Sequence, residues 1–236
     1  MQRSAVDKQE DAMLRSWERR LEKERRAISA HLAEAAGRAL EMGDVGSFDW
    51  DWWLKYGDEL TKELQVAYLA VLLEQGFIDT PILSAQQVAA NYAKKRGAEL
   101  LRLEGRENIV QATRQAVRDL VAETIEKGDS LNTLQKKLRE DFAFSKSRAE
   151  AIARTETAKA LGEGSLKSYM TLGHEGKEWL TAGDERVDGG DPSGPCIQAA
   201  GEGAIALGRM FNNGFSAPPA HPRCRCTLMP VRHLPR

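Results

Sequence analysis

Cysteine is almost missing from this 236-residue chain, which has three. A count that small and odd excludes a disulfide framework and leaves metal binding or free thiols as the roles open to them. Long apolar runs are missing too. No stretch of about eighteen apolar residues occurs, and the opening MQRSAVDKQEDAMLRSWERR lacks the apolar centre of a signal peptide, so neither a membrane span nor secretion is expected. Charge of one sign is not in excess, since 34 basic side chains face 35 acidic ones. That near balance removes the general attraction that draws a basic protein to nucleic acid or an anionic membrane. The phosphate-cradling pattern G-x-x-x-x-G-K-[ST] does not occur, which excludes a P-loop ATPase.

What is present is mostly helix-forming, and the 42% of hydrophobic residues is ordinary for a globular protein. Met13, Trp17, Leu21, Ile28, Leu32, Ala35 and Ala39 recur at helical steps among Arg, Lys and Glu, which predicts an amphipathic first helix. GDVGSFDWDWWLKYGD interrupts it, with Trp50, Trp52 and Trp53 crowded together as a core plug or a docking surface. A second helix carries Leu60, Leu64, Tyr68, Val71 and Leu72 and closes at Gly76. Beyond Pro81, Ser84 is the expected N-cap of a helix bearing Val88, Tyr92, Leu100 and Leu103, with Gly97 and Gly105 as interruptions. Ile109, Ala112, Ala116, Leu120 and Val121 form the next stripe. Asp129 or Ser130 then caps a helix buried through Leu131, Leu134, Leu138 and Phe142, and Ser145 or Ser147 starts the last long helix, which ends at Gly173. Acidic residues interleave with basic ones throughout, so the charged faces read as solvated.

After Gly173 the pattern changes. KEWLTAGDERV alternates around a turn, and DGGDPSGP is all breakers, so short strands and loops follow. The predicted fold class is a mainly α N-terminal region, residues 1–144, and a small α+β C-terminal module, residues 145–236, with a long helix, short antiparallel strands and a Cys/His loop. Its large apolar side chains are few: Trp179, Leu180, Val187, Ile197, Ile205, Leu207, Met210, Phe211, Phe215, Leu228, Met229 and Val231. A core that small often needs a staple.

Cys196, His221, Cys224 and Cys226 all lie in this module, and four such ligands are what a closed tetrahedral zinc site requires. Pro218, Pro219 and Pro222 hold the histidine's loop extended. In an extended chain Cys224 and Cys226 emerge on one face, while Arg223 and Arg225 point away, where they offset thiolate charge. Reduced thiols, a single optional disulfide and a catalytic cysteine are the alternatives. A thiolate nucleophile needs a base, and the nearest imidazole in sequence is His221 itself. His31, His174 and His233 read as exposed polar surface.

From Ser145 onward the chain resembles the Mu F-like minor head proteins of tailed bacteriophages, a head-morphogenesis family encoded beside the portal protein. The resemblance rests on RAEAIARTETAKA on a helix, then GKEWLTAGDERV, a cysteine, and FSAPPAHPRCRCTLMPV. It places Arg154, Thr155 and Glu156 in the helix signature, and Trp179, Thr181, Asp184, Arg186 and Val187 in the strand-and-turn signature. Cys196, His221, Pro222, Cys224, Arg225 and Cys226 fall in the Cys/His signature. Many relatives have a Cys-x-x-Cys just after the Arg-Val step. Here the first of that pair is missing, DGGDPSGP intervenes, and Asp188 or Asp191 is available to stand in for a ligand.

The resemblance implies a non-enzymatic virion protein with a structural zinc. Its partners would be the portal protein, the major capsid protein or both, with packaged DNA a lesser one and no membrane. Its place would be inside the head or at the portal vertex, with the host cytoplasm its location during assembly, and it would assist head morphogenesis or genome packaging and delivery. The alternative is an enzyme or toxin-type effector that uses the Cys/His module, because Mu F-like modules also occur fused to effector domains. The module is expected to run to within a few residues of Arg236, which leaves no space for an effector after it. Asp184 and Arg186 are expected to pair or to cap their turn, with Arg154 and Glu156 within reach.

Overall fold

Charge-rich stretches with apolar residues every three or four positions fold as helices: α1 (Ala5–Ala33), α2 (Met42–Gly46), α3 (Gly57–Glu74), α4 (Ala85–Leu101), α5 (Ile109–Lys127), α6 (Leu131–Glu140) and α7 (Lys146–Thr171). Short 3-10 turns cover Trp50–Tyr56, Phe142–Phe144 and Val187–Gly190. Beyond α7 come β1 (Gly176–Leu180), α8 (Pro195–Gly201), β2 (Ile205–Ala206) and β3 (Thr227–Val231). This computed structural model describes residues 4–34, 41–79, 84–101, 109–185 and 187–234. Ala35, Ala39, Pro81, Leu103, Gly105, Arg186 and Arg236 lie outside the described residues, as do the side chains of Trp52 and Trp53. The predicted class holds: helices first, then a small antiparallel sheet. Among the described residues no helix is long and apolar enough to cross a membrane.

The chain divides into two compact units, one of Met13–Lys62 and Lys94–Glu150, the other of Met1–Ala12, Glu63–Ala93 and Ala151–Arg236. In the first, Met13, Trp17, Leu21, Ile28 and Leu32 are all 3% exposed or less, as their spacing predicts. Trp50 is buried, donates its indole N–H to the Val45 carbonyl at 3.0 Å and meets Phe48 edge-on, which makes it a plug. The face of α5 departs from expectation. Ala112 is exposed, and the buried residues are Ile109, Val110, Thr113, Val117, Val121 and Thr124. The valines are the larger apolar groups, and the two threonines tolerate burial because they donate to the Ile109 and Leu120 carbonyls one turn back.

Ser130 caps α6 by accepting the Thr133 N–H, and Ser145 accepts the Arg148 N–H at the start of α7. Phe142, expected in the core, is exposed, because α6 ends at Glu140 and the chain turns through Asp141. Arg148 is buried and donates to the Thr113 hydroxyl (2.8 Å) and to the Ala143 and Ile109 carbonyls (2.5 and 2.9 Å). Burial lowers its pKa, an effect that Glu24 and Asp141 oppose.

In the other unit, Val6, Tyr68, Val71, Leu72, Phe77, Ala85, Val88, Ala89 and Ala160 form one core cluster, with Tyr68 and Tyr92 stacked at 4.0 Å between centroids. Glu74 accepts the Ala5 and Val6 N–H groups and so satisfies the start of α1. Ser84 accepts the Gln87 N–H at the start of α4. The sheet has the order β2-β1-β3, both pairings antiparallel, with Trp179 opposite Leu228 and Lys177 opposite Pro230. A second cluster, Tyr169, Trp179, Val187, Cys196, Ala199, Ile205, Phe211, Cys224 and Leu228, lies under it. Leu180 and Met229 are exposed, because strand alternation places them on the face opposite Trp179 and Leu228.

Gly162 of α7 lets the Cys/His loop approach the helix. A Cβ there would stand 2.2 Å from the Pro218 carbonyl oxygen and 3.0 Å from the Ala217 side chain. Gly162→Ala should therefore cost about 2 kcal/mol by urea unfolding, within the range for overpacking a filled site. Gly43→Ala, where an added Cβ meets nothing within 4 Å, should not destabilise the chain.

Candidate metal centre

Asp188 delivers Cys196. It is held in the left-handed region (φ 53), its carboxylate is 1% exposed, and its two oxygens accept the Cys196 and Ile197 N–H groups at 3.1 and 2.9 Å. These N–H groups begin α8 and have no partner within the helix. Gly194 makes the arrangement possible, since a Cβ there would lie 2.2 Å from that of Asp188. Pro195 opens the helix where a missing N–H costs nothing. Cys196 is then fully buried.

Cys224 is placed by the loop before β3. Arg223 adopts φ 61 and donates its N–H to the Thr155 hydroxyl at 3.2 Å, and that hydroxyl donates in turn to the Ala151 carbonyl. The Cys224 N–H binds the His221 carbonyl at 3.2 Å, which closes a tight turn. The Cys196 and Cys224 sulfurs lie 3.5 Å apart, and the ligand atoms of Cys196, His221 and Cys224 are all within 4.8 Å of one another. His221 Nδ1 is 2.9 Å from the Pro222 carbonyl oxygen, and its Nε2 is 3.4 Å from Asp188 Oδ1.

Cys226 is half-buried, and its thiol interacts with those of Cys196 and Cys224. The three sulfurs share one favourable place for negative charge. Donation from Cys196, then from Cys226, holds the Cys224 thiol well below the usual range. Cys196 is driven upward, first through Cys224, then through Cys226 and burial. This grouping fits zinc, for which bonds of about 2.3 Å to sulfur place two thiolates about 3.8 Å apart on a tetrahedral edge.

Three of the four donors expected from the sequence, Cys196, His221 and Cys224, thus converge, and Cys226 is not among the ligand atoms gathered within 4.8 Å. The Asp184–Arg186 pairing was expected where the structure has Asp184 at 2.6 Å from Arg225, while Arg186 lies outside the described residues. Arg154 faces Glu10 at 3.6 Å, and Glu156 is buried. His31 and His174 are half-buried rather than exposed: the first is within 2.9 Å of the Asp44 carbonyl, and the second meets the Tyr169 ring edge-on. His233 is exposed beside Glu175.

Sequence reasoning passed over Lys177. Alternation along β1 places it on the face of Trp179, and it is fully buried, donating to the Ser216 carbonyl at 2.7 Å with its ammonium 5.3 Å from the centre of the Phe211 ring. It tethers the loop that carries Pro218 and His221. Beside the cluster lies a half-open cavity of about 240 Å³, bordered by Glu10, Arg154, Thr157, Arg225 and Cys226 among others.

The family model described as Phage Mu protein F like protein matches residues 115–229. The match begins ahead of residue 145, where the resemblance starts, and takes in Cys196, His221, Cys224 and Cys226. No curated protein and no solved structure matches the chain.

Burial lowers the Lys177 ammonium from 10.5 to about 8, against a smaller opposing effect of Glu163. Between those two values the unfolded chain holds a proton that the folded chain lacks, so stability rises with pH across that window. Urea unfolding at pH 7.5 and 9.5 should show wild type gaining stability relative to Lys177→Met at the higher pH.

Proposed function

The chain carries a Mu protein F-like region over residues 115–229, and from that premise we propose that it is a structural head protein of a tailed phage, a minor component that docks on the portal or the inner capsid. The observation that carries this reading is the family match across the whole Cys/His constellation. A match of this kind supports a head-morphogenesis role in the virion, with the host cytoplasm as the place of assembly. The helical region, residues 1–144, would supply the docking surface, and the module of residues 145–236 a compact knob.

Within that knob the proposed metal is zinc, and its role is to cross-link. Cys196, His221 and Cys224 would hold it, with Cys226 the fourth donor proposed from the sequence. Zinc supplies a tie between α8 and the loop before β3, and a ligand that binds only the folded state stabilises it by about 2.7 kcal/mol at a hundred times its Kd. The effector reading has less support. Cys226 reaches the cavity, but the imidazole nearest the thiols already faces the Pro222 carbonyl and Asp188.

Metal analysis of the purified chain should find about one zinc. Cys224→Ser, or a chelator, should lower the melting temperature of the module while far-UV circular dichroism keeps its helical signal. Affinity capture from infected cells should recover portal or major capsid protein. Recovery of host enzymes alone, with neither head protein, would count against the virion role.

A further inference from the structure

We infer that Cys196 and Cys224 join as a disulfide when the protein meets a peroxide, and that this bond replaces the metal as the tie between α8 and the loop before β3. The exchange rests on the zinc reading above; the pairing does not. The first ground is reach. The two sulfurs lie 3.5 Å apart, so a bond of about 2.05 Å asks them to approach by about 1.5 Å. Both side chains are buried, at 0% and 2% exposure, in the one core cluster under the sheet, so neither thiol turns away into solvent. Hydrogen bonds hold the backbone beside each of them, through Asp188 for Cys196 and through Thr155 and Arg223 for Cys224. The pair is 28 residues apart in the chain, and a cross-link of that span restricts the unfolded state as well as fastening the folded one.

The second ground is access from one side. Cys224 borders the half-open cavity of about 240 Å³, whereas Cys196 is not among the residues that line it. A small peroxide therefore meets Cys224 first. The Cys224 sulfur attacks one oxygen of hydrogen peroxide, the O–O bond breaks, the other oxygen leaves as water, and a sulfenic acid forms. The Cys196 sulfur then attacks the Cys224 sulfur, the S–O bond breaks, and the hydroxyl leaves as a second water. Two thiols give up two electrons and two hydrogens, and one peroxide is reduced to two waters. Where the sulfurs hold zinc, solvent supplies those two protons and the ion is released as a dication, because a disulfide keeps no thiolate to bind it. The exchange follows the compartments of the proposed role: reduced thiols during assembly in the cytoplasm, then a virion outside the cell, where disulfides persist.

The test treats the full chain with hydrogen peroxide, once metal-free and once loaded with Zn²⁺, and follows free thiols, released zinc and linked peptides. Free thiols should fall from three to one, and dithiothreitol should restore all three. Trypsin cuts between Cys224 and Cys226 at Arg225, so mass spectrometry should find the Cys224 peptide joined to that of Cys196, with Cys226 unlinked. Zinc should appear in solution in step with the bond, about one ion per disulfide. The oxidised chain should melt above the metal-free reduced chain, and Cys226→Ser should form the same link as wild type. Three thiols left intact in the metal-free chain, a link that includes Cys226, or a sulfinic acid at Cys224 beside a free Cys196 would each overturn the pairing. Loaded chain that keeps its zinc under peroxide sufficient to oxidise the metal-free chain would overturn the exchange. A chain that takes up no zinc yet forms the bond would overturn the zinc reading and uphold the pairing.

Discussion

Two backbone N–H groups donating to the Asp188 carboxylate fix where Cys196 stands, and the rest of the C-terminal module is arranged around that point. The carboxylate reaches them only because Asp188 accepts a left-handed backbone and because Gly194 has no side chain to collide with it. Strain of this kind costs of order 1–3 kcal/mol and persists when its surroundings over-determine it. The opposite wall is fixed by a relay from the Ala151 carbonyl through the Thr155 hydroxyl to the Arg223 N–H, which sets the residue before Cys224. Thr155 belongs to the signature RTE, so a motif on a helix acts here by positioning a loop.

The two units solve the problem of burial differently. Around α5, the interior includes threonines and a guanidinium, and these are stable there because the threonine hydroxyls and both terminal nitrogens of Arg148 donate to carbonyls or a hydroxyl. The small sheet has less apolar material to bury. Its core relies on Trp179, Phe211, Leu228 and Tyr169, and two cysteines occupy positions where larger aliphatic groups would otherwise be needed. The Tyr169 hydroxyl donates to the Leu228 carbonyl at 2.8 Å, so the end of α7 and β3 are joined by a bond that does not require the metal.

Much of this was legible in the residues, and the reasons are physical. Helical spacing exposed the buried faces of α1 and α3, and serines marked the starts of α4, α6 and α7. The donors could be gathered because thiols are scarce and prolines stiffen the loop between them. What escaped was set by tertiary context. Spacing alone favoured Ala112 over Val110 and Val117 on α5, since it weighs period and not side-chain volume. It gave no sign that Asp184 would meet Arg225, forty-one residues on, instead of its neighbour Arg186. Lys177 was visible in principle, as a charge on the inward phase of a strand. Its partner, the Ser216 carbonyl, was not.

The stretch from Asp188 to Cys196 is clasped at its ends by side chain and backbone, and the exposed interval between them adds to the hold: the Asp191 carbonyl accepts the Gly194 N–H and the Ser193 carbonyl accepts the Gln198 side chain of α8. Within it the Asp191 carboxylate accepts the Ser193 N–H and hydroxyl as well. The length of the interval is thus part of the device: a foreign segment grafted into it would cut these bonds and loosen the start of α8.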